Sequence, residues 1–142
     1  GADGPARCPT KESSRFSAGR MSKLSTTCSL TPTARESTTA FLIDAYATTM
    51  ETSSDHVAVS IAELPPSAMA IGRGVDGPLV FLDAEIRGGR PFETKRAFAV
   101  DVMEHAVSEL DVPRPNAKVV FTEHPGEHMM GLDRVGDAWR AE

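Results

Sequence analysis

Three things that would assign this chain to a class at once are scarce in it. It has two cysteines, Cys8 and Cys28, and neither has a second cysteine or a histidine at ligand spacing. No disulfide framework and no zinc site are therefore expected, and the chain reads as one that works in a reducing cytoplasm. It has no excess of positive charge: the formal net charge is −5 and the pI about 5.4. That balance excludes the broad basic face by which nucleic-acid binders displace phosphate counterions, so any positive site is local. Finally, it contains no run of about 18 apolar residues, the length that a membrane-spanning helix needs. The first 20 residues also lack the apolar centre of a signal peptide. No nucleic-acid partner and no membrane partner are expected.

Two common site motifs are missing as well. The stretch IGRGVDG at 71–77 lacks the GK[ST] ending of a phosphate loop. His56, His105, His124 and His128 form no HExxH pattern, and a lone histidine on a helix, such as His105, is ordinarily structural or solvated. No metal or organic cofactor is implied.

What is present fits a single domain. The chain has 142 residues, 40% of them hydrophobic and 25% charged. Residues 1–21, rich in Gly, Pro, Ser and charge, read as a flexible leader or upstream extension, with Met21 a candidate native start. Residues 22–142 read as the folded unit. A first strand is expected over 23–29, where β-branched residues alternate modestly. Thr31 is placed to cap a helix with Pro32 in its first position, since proline has no N–H to lose there. Ala34, Phe41, Leu42, Ala45 and Tyr46 continue that helix at three- and four-residue intervals to about residue 50. Val57, Val59 and Ile61 alternate in a second strand over 57–62.

The pattern then repeats. Residues 79–86, LVFLDAEI, read as a strand whose continuous apolar start suggests burial on both faces. Residues 91–110 carry a wide apolar helical stripe through Phe98, Val102, Met103, Ala106 and Leu110. Residues 117–123, AKVVFTE, read as the last strand, and the tail 126–142 as irregular or a short hairpin. TPTARE at 31–36 matches RPFETK at 90–95, and AELPP at 62–66 matches TEHPG at 122–126, so the halves are duplicates about 60 residues apart. Each half, 22–66 and 79–125, is a strand, helix and strand, which makes a right-handed β-α-β unit with parallel strands. The expected fold is therefore α+β: two fused β-α-β units forming a four-stranded sheet with both helices on one face. The other sheet face needs cover, and a symmetric oligomer supplies it. Trp139 is a candidate anchor between subunits.

The chemistry concentrates in AEIRGGRPFETK. Arg87 ends a strand, Gly88 and Gly89 turn the chain, and Arg90 precedes a helix. Two guanidiniums beside helical N–H groups suit a carboxylate, because arginine offers a rigid two-pronged donor set. The same spacing also describes two solvated loop arginines.

The string IRGGRPFETK, followed by a helix, a VP-containing loop and VVFTEHPGEHM, resembles the second half of tautomerase-superfamily enzymes, above all the cis-3-chloroacrylic acid dehalogenase group. The resemblance covers residues 22–134. It implies a tautomerase, or MIF-like, fold, a homotrimer, and substrate carboxylate binding by Arg87 and Arg90. Tyr46, in LIDAYA, stands where that group has a histidine that orients substrate or water; it also reads as a core aromatic. Asp55 matches an aspartate of the related malonate semialdehyde decarboxylases, and also reads as a turn residue. The superfamily uses a proline at the chain's first position as acid or base, because a secondary amine in an apolar pocket titrates near neutrality. Pro5 and Pro9 do not align with it. If Met21 is the start and is removed, Ser22 offers a primary amine instead. Val120 and Gly131 replace the group's tyrosine and water-activating glutamate, which argues against standard hydrolytic dehalogenation; Glu127 and His128 lie a turn earlier. The implied function is an isomerase- or lyase-like enzyme acting on a small oxo-, enol- or unsaturated carboxylate by proton transfer, hydration or decarboxylation. The alternative is a catalytically impaired trimer that binds carboxylates or serves assembly.

Overall fold

The computed structural model describes residues 20–132 and 134–135, with side chains from 21 to 132. Trp139 and the leader's Cys8, Pro5 and Pro9 lie outside the described residues. The elements are β1 (Arg20–Thr26), α1 (Pro32–Thr49), β2 (Val57–Glu63), β3 (Val80–Arg87), α2 (Phe92–Leu110), β4 (Ala117–His124) and a two-stranded antiparallel pair, β5 (Met130–Gly131) with β6 (Arg134–Val135). The sheet order is β2-β1-β3-β4. β1 with β2 and β3 with β4 are parallel, and β1 with β3 is antiparallel where the two units meet. This is the expected pair of β-α-β units.

β1 begins and ends three residues earlier than the expected 23–29. Thr26 and Thr27, read as strand formers, instead tie the strand off. The Thr26 hydroxyl donates to the Leu79 carbonyl at 2.8 Å and accepts from the Cys28 amide at 3.0 Å. The Thr27 hydroxyl accepts from the Leu79 amide at 2.9 Å. Short β-branched hydroxyls close backbone turns as readily as they extend strands.

The first helix begins as its sequence dictates. The Thr31 hydroxyl accepts from the Ala34 amide at 3.0 Å, and Pro32 follows in the first turn. Pro91, by contrast, precedes α2 with no side chain to cap it. Both helices send one stripe to the sheet: Thr38, Leu42 and Tyr46 from α1, Phe98, Val102 and Ala106 from α2. They close on Leu24, Val80, Leu82, Ala84 and Ile86 to make the core. The Tyr46 and Phe98 rings meet edge to face at 5.2 Å.

β3 is not buried on both faces. Val80, Leu82, Ala84 and Ile86 face the helices and are buried, while Phe81, Asp83, Glu85 and Arg87 alternate with them and are only half-buried. The two carboxylates and the arginine supply the alternation that the apolar LVF start concealed. Opposite the helices, then, the sheet presents Met21, Lys23, Ser25 and these β3 residues on an uncovered face. The 71–78 loop is clamped by Asn116, which is fully buried: its Oδ1 accepts from the Val75 amide at 2.8 Å and its Nδ2 donates to the Val75 and Pro78 carbonyls at 2.7 and 3.0 Å. The loop therefore has a structural role rather than a phosphate-binding one.

Candidate functional site

The antiparallel join brings the start of β1 beside the end of β3, with Met21 opposite Glu85, while Arg20 pairs with Val57 at the start of β2. The first residues of β1 and β2, the last of β3 and β4 and the C-terminal end of α1 thus share one end of the domain. Arg87, Arg90, Tyr46, Asp55 and Ser22 all come from the segments that meet there.

Arg87 is the last residue of β3, half-buried, with His124 as its partner on β4. The Gly88 amide donates to the His124 carbonyl at 2.9 Å, which continues the ladder one residue past the strand. Gly89 then takes φ 120, a conformation that a side chain would strain, and turns the chain back toward the helices. Arg90 falls inside as a result. It is 4% exposed, its Nε donates to the Met50 carbonyl at 3.1 Å, and its guanidinium carbon stands 5.8 Å from the centre of the Tyr46 ring. Burial pulls the Arg90 pKa below its ordinary value, opposed by Tyr46; the like charge of Arg87 adds to the lowering, and Glu51 and Glu123 act against it. Glu123 is itself paired with Lys95 in the first turn of α2.

The five candidates do not form one cluster. Arg90 and Tyr46 are in contact and Arg87 acts on Arg90 through its charge. Tyr46 is both of the things its sequence suggested, a buried core ring and the platform under a guanidinium. Asp55 sits in a short 3-10 turn ahead of β2, exposed, its amide donating to the Ser53 hydroxyl at 3.2 Å. In the chain as it stands, Ser22 is an interior residue of β1, 1% exposed, between Val59 and Ala84. Its nitrogen is a strand amide rather than an amine. Glu127 and His128 are exposed in a 3-10 turn, and Val120 lies on β4 in register with Asp83.

A further pair stands at this end. His124 Nε2 and Glu85 Oε1 are hydrogen-bonded across β3 and β4, both part-exposed. Glu85 stands two residues before Arg87 on an alternating strand, which was a legible signal; nothing in the spacing identified His124 as its partner. Elsewhere, a cavity of about 580 Å³ is lined by Arg73, Met103, Arg114 and Lys118 near the start of β4, at the opposite end of the sheet from Arg87. Among the described residues no group of His, Cys, Asp or Glu is arranged to hold a metal ion, and no helix is long and apolar enough to cross a membrane.

No protein-family model and no curated protein matches the sequence. Solved structures do match the fold. A member of the cis-3-chloroacrylic acid dehalogenase family superposes with a TM-score of 0.74 at 19% identity, over 83% of this chain and 84% of that one. Macrophage migration inhibitory factor from Toxoplasma gondii gives 0.71 at 19% identity, over 81% and 98%. A fused 4-OT, described as an asymmetric trimer, gives 0.67 at 20% identity, over 79% and 91%. With its two β-α-β units, mixed four-stranded sheet and helices on a single face, the chain has the tautomerase, or MIF-like, fold.

Proposed function

We propose that the chain is a tautomerase-superfamily enzyme that binds a small oxo-, enol- or unsaturated carboxylate through Arg87 and Arg90 and promotes proton transfer, hydration or decarboxylation. One observation carries this reading. Arg87 and Arg90 share one end of the sheet, close enough for the charge of Arg87 to lower the pKa of the almost fully buried Arg90, so that an arriving anion relieves both the like-charge repulsion and part of the desolvation. Tyr46, whose ring lies under Arg90, polarises the substrate or a water, with Asp55 at the same end of the domain as the second candidate. No metal or organic cofactor enters. The subunit works as a homotrimer, a reading supported by the half-buried sheet face opposite the helices and by the assembly named for the fused 4-OT.

A second reading has its own support: Ser22 is an interior, buried residue of β1, and Asp55 is exposed and apart from the Arg90–Tyr46 contact, which favours a carboxylate-binding or assembly module. The two readings separate in one experiment. Full-length protein and a form beginning at Ser22 are incubated with phenylenolpyruvate and with malonate semialdehyde. Turnover by either form, lost in Arg87→Ala, supports the enzyme; a folded protein that binds phenylpyruvate without turning over either compound leaves only the binding module. No binding at all defeats both.

A further inference from the structure

We propose that His124, oriented by Glu85, is the group that carries the proton beside Arg87. The inference rests on the carboxylate-binding reading of the arginine turn and adds the acid-base residue that the sequence did not reveal. Strand register supplies the geometry. His124 is the β4 partner of Arg87, and Glu85 precedes Arg87 by two residues, so all three side chains leave the sheet on the face away from the helices. The carbonyl of His124 accepts from the Gly88 amide, which fastens the histidine's backbone to the same turn that positions Arg87.

The hydrogen bond decides which nitrogen does chemistry. A carboxylate only accepts, so with Glu85 at Nε2 that nitrogen carries the hydrogen, and the basic lone pair of the neutral ring belongs to Nδ1. This is the arrangement by which a carboxylate sets the tautomer of a catalytic imidazole and steadies the imidazolium that forms. Both side chains are about one third to two fifths exposed in the single chain, and His124, as the last residue of β4, stands at the rim of the face that a homotrimer would cover, where a substrate held by Arg87 reaches the ring.

The step balances without a co-reactant. With the carboxylate of an enol form of a 2-oxo acid on Arg87, the enol O–H gives its proton to Nδ1. The oxygen lone pair forms the C2=O bond as the C2=C3 pair moves to C3, and the imidazolium returns its proton to C3. One C–H and one C=O bond replace one O–H and one C=C bond, and nothing is oxidised or reduced. His124 touches the reacting atoms and is catalytic; Glu85 acts through it and is a positioning residue.

The test uses the full chain and phenylenolpyruvate, followed by loss of its enol absorbance. His124→Ala should lower kcat by about 100-fold or more, the usual contribution of a general acid-base group, with KM within about threefold. Added imidazole should restore part of the lost rate. His124→Gln guards against a folding artefact, since it retains a polar group near Glu85, and should be as slow while keeping the wild-type circular dichroism. Glu85→Gln should lower kcat by about tenfold with KM unchanged, and Glu85→Asp should recover part of that. If folded His124→Ala and His124→Gln keep kcat within about threefold of wild type, the inference is overturned while the arginine reading stands. Phenylpyruvate binding measured by calorimetry reports on the other reading: affinity unchanged in Arg87→Ala overturns the carboxylate site. Absence of wild-type turnover overturns the proton-carrier role whatever the binding shows.

Discussion

The two β-α-β units are near copies, and the places where they differ are the places where chemistry is possible. Positions 60 residues apart do the same structural work. Thr38, Leu42 and Tyr46 line the buried face of α1, and Phe98, Val102 and Ala106 that of α2. Glu51 and Asp111 each end a helix with φ 55. Arg35 pairs with Glu63 in the first unit, and Lys95 with Glu123 in the second, each joining the first turn of a helix to the end of the following strand. Against that background the strand-to-helix turns diverge. The first holds Thr27 and Leu30, one closing the backbone with its hydroxyl and the other buried and apolar. The second holds Arg87 and Arg90 at the equivalent positions. The large ring also changes sides, Tyr46 standing where the second unit has Ala106, and it is this ring that lies under Arg90. Duplication supplies two equivalent turns, and the second of them holds two like charges, one anchored to the end of α1 through the Met50 carbonyl.

The strongest way to break the comparison is to remove the ring that distinguishes the halves. Tyr46→Ala makes α1 match α2 at that position, empties the space against Phe98 and takes the platform from Arg90; it should cost about 3–5 kcal/mol in urea denaturation. A smaller effect sharpens the difference between the helix starts. Thr31→Ala removes the side-chain cap of α1 and should cost about 1 kcal/mol, whereas Pro91→Ala, at the uncapped start of α2, removes no such bond and should cost less than half of that. The smallest concerns the helix pair. His105 of α2 stacks on Phe41 of α1 at 3.9 Å, and burial lowers its pKa from 6.5, opposed by Glu109. A depressed histidine favours the neutral ring in the fold. Its contribution to stability is complete above about pH 6.5 and is lost as pH falls through the lower folded-state value. His105→Phe should therefore lose less melting temperature than wild type between about pH 7.5 and pH 5.5.

Much of this architecture was legible in the residues. The helical stripes, the Thr31-Pro32 start and the repeat at about 60 residues led to two β-α-β units, because burial patterns and caps are local and periodic. β1 was misplaced because threonine serves strands and turns equally, and only the partner carbonyl at Leu79 decides between them. β3 was read as buried twice because three apolar residues at its start outweighed the alternation of Asp83, Glu85 and Arg87 behind them. The arginine turn was legible from its glycines and charges, but the inward fall of Arg90 was not, since it depends on the backbone reversal at Gly89 and on a carbonyl 40 residues earlier. The Glu85–His124 pair was invisible for the same reason: cross-strand register is a tertiary fact.

The central claim is that two arginines in one of two equivalent turns make the carboxylate site, and it is tested most directly by giving the second turn the residues of the first. Calorimetric titration of phenylpyruvate into wild type and into the Arg87→Thr/Arg90→Leu double variant is the measurement. The account predicts that the variant keeps its helical circular dichroism, because Leu30 already fills the equivalent buried position, and that it loses binding to below a tenth of wild-type affinity. A folded double variant that binds phenylpyruvate as tightly as wild type would contradict it.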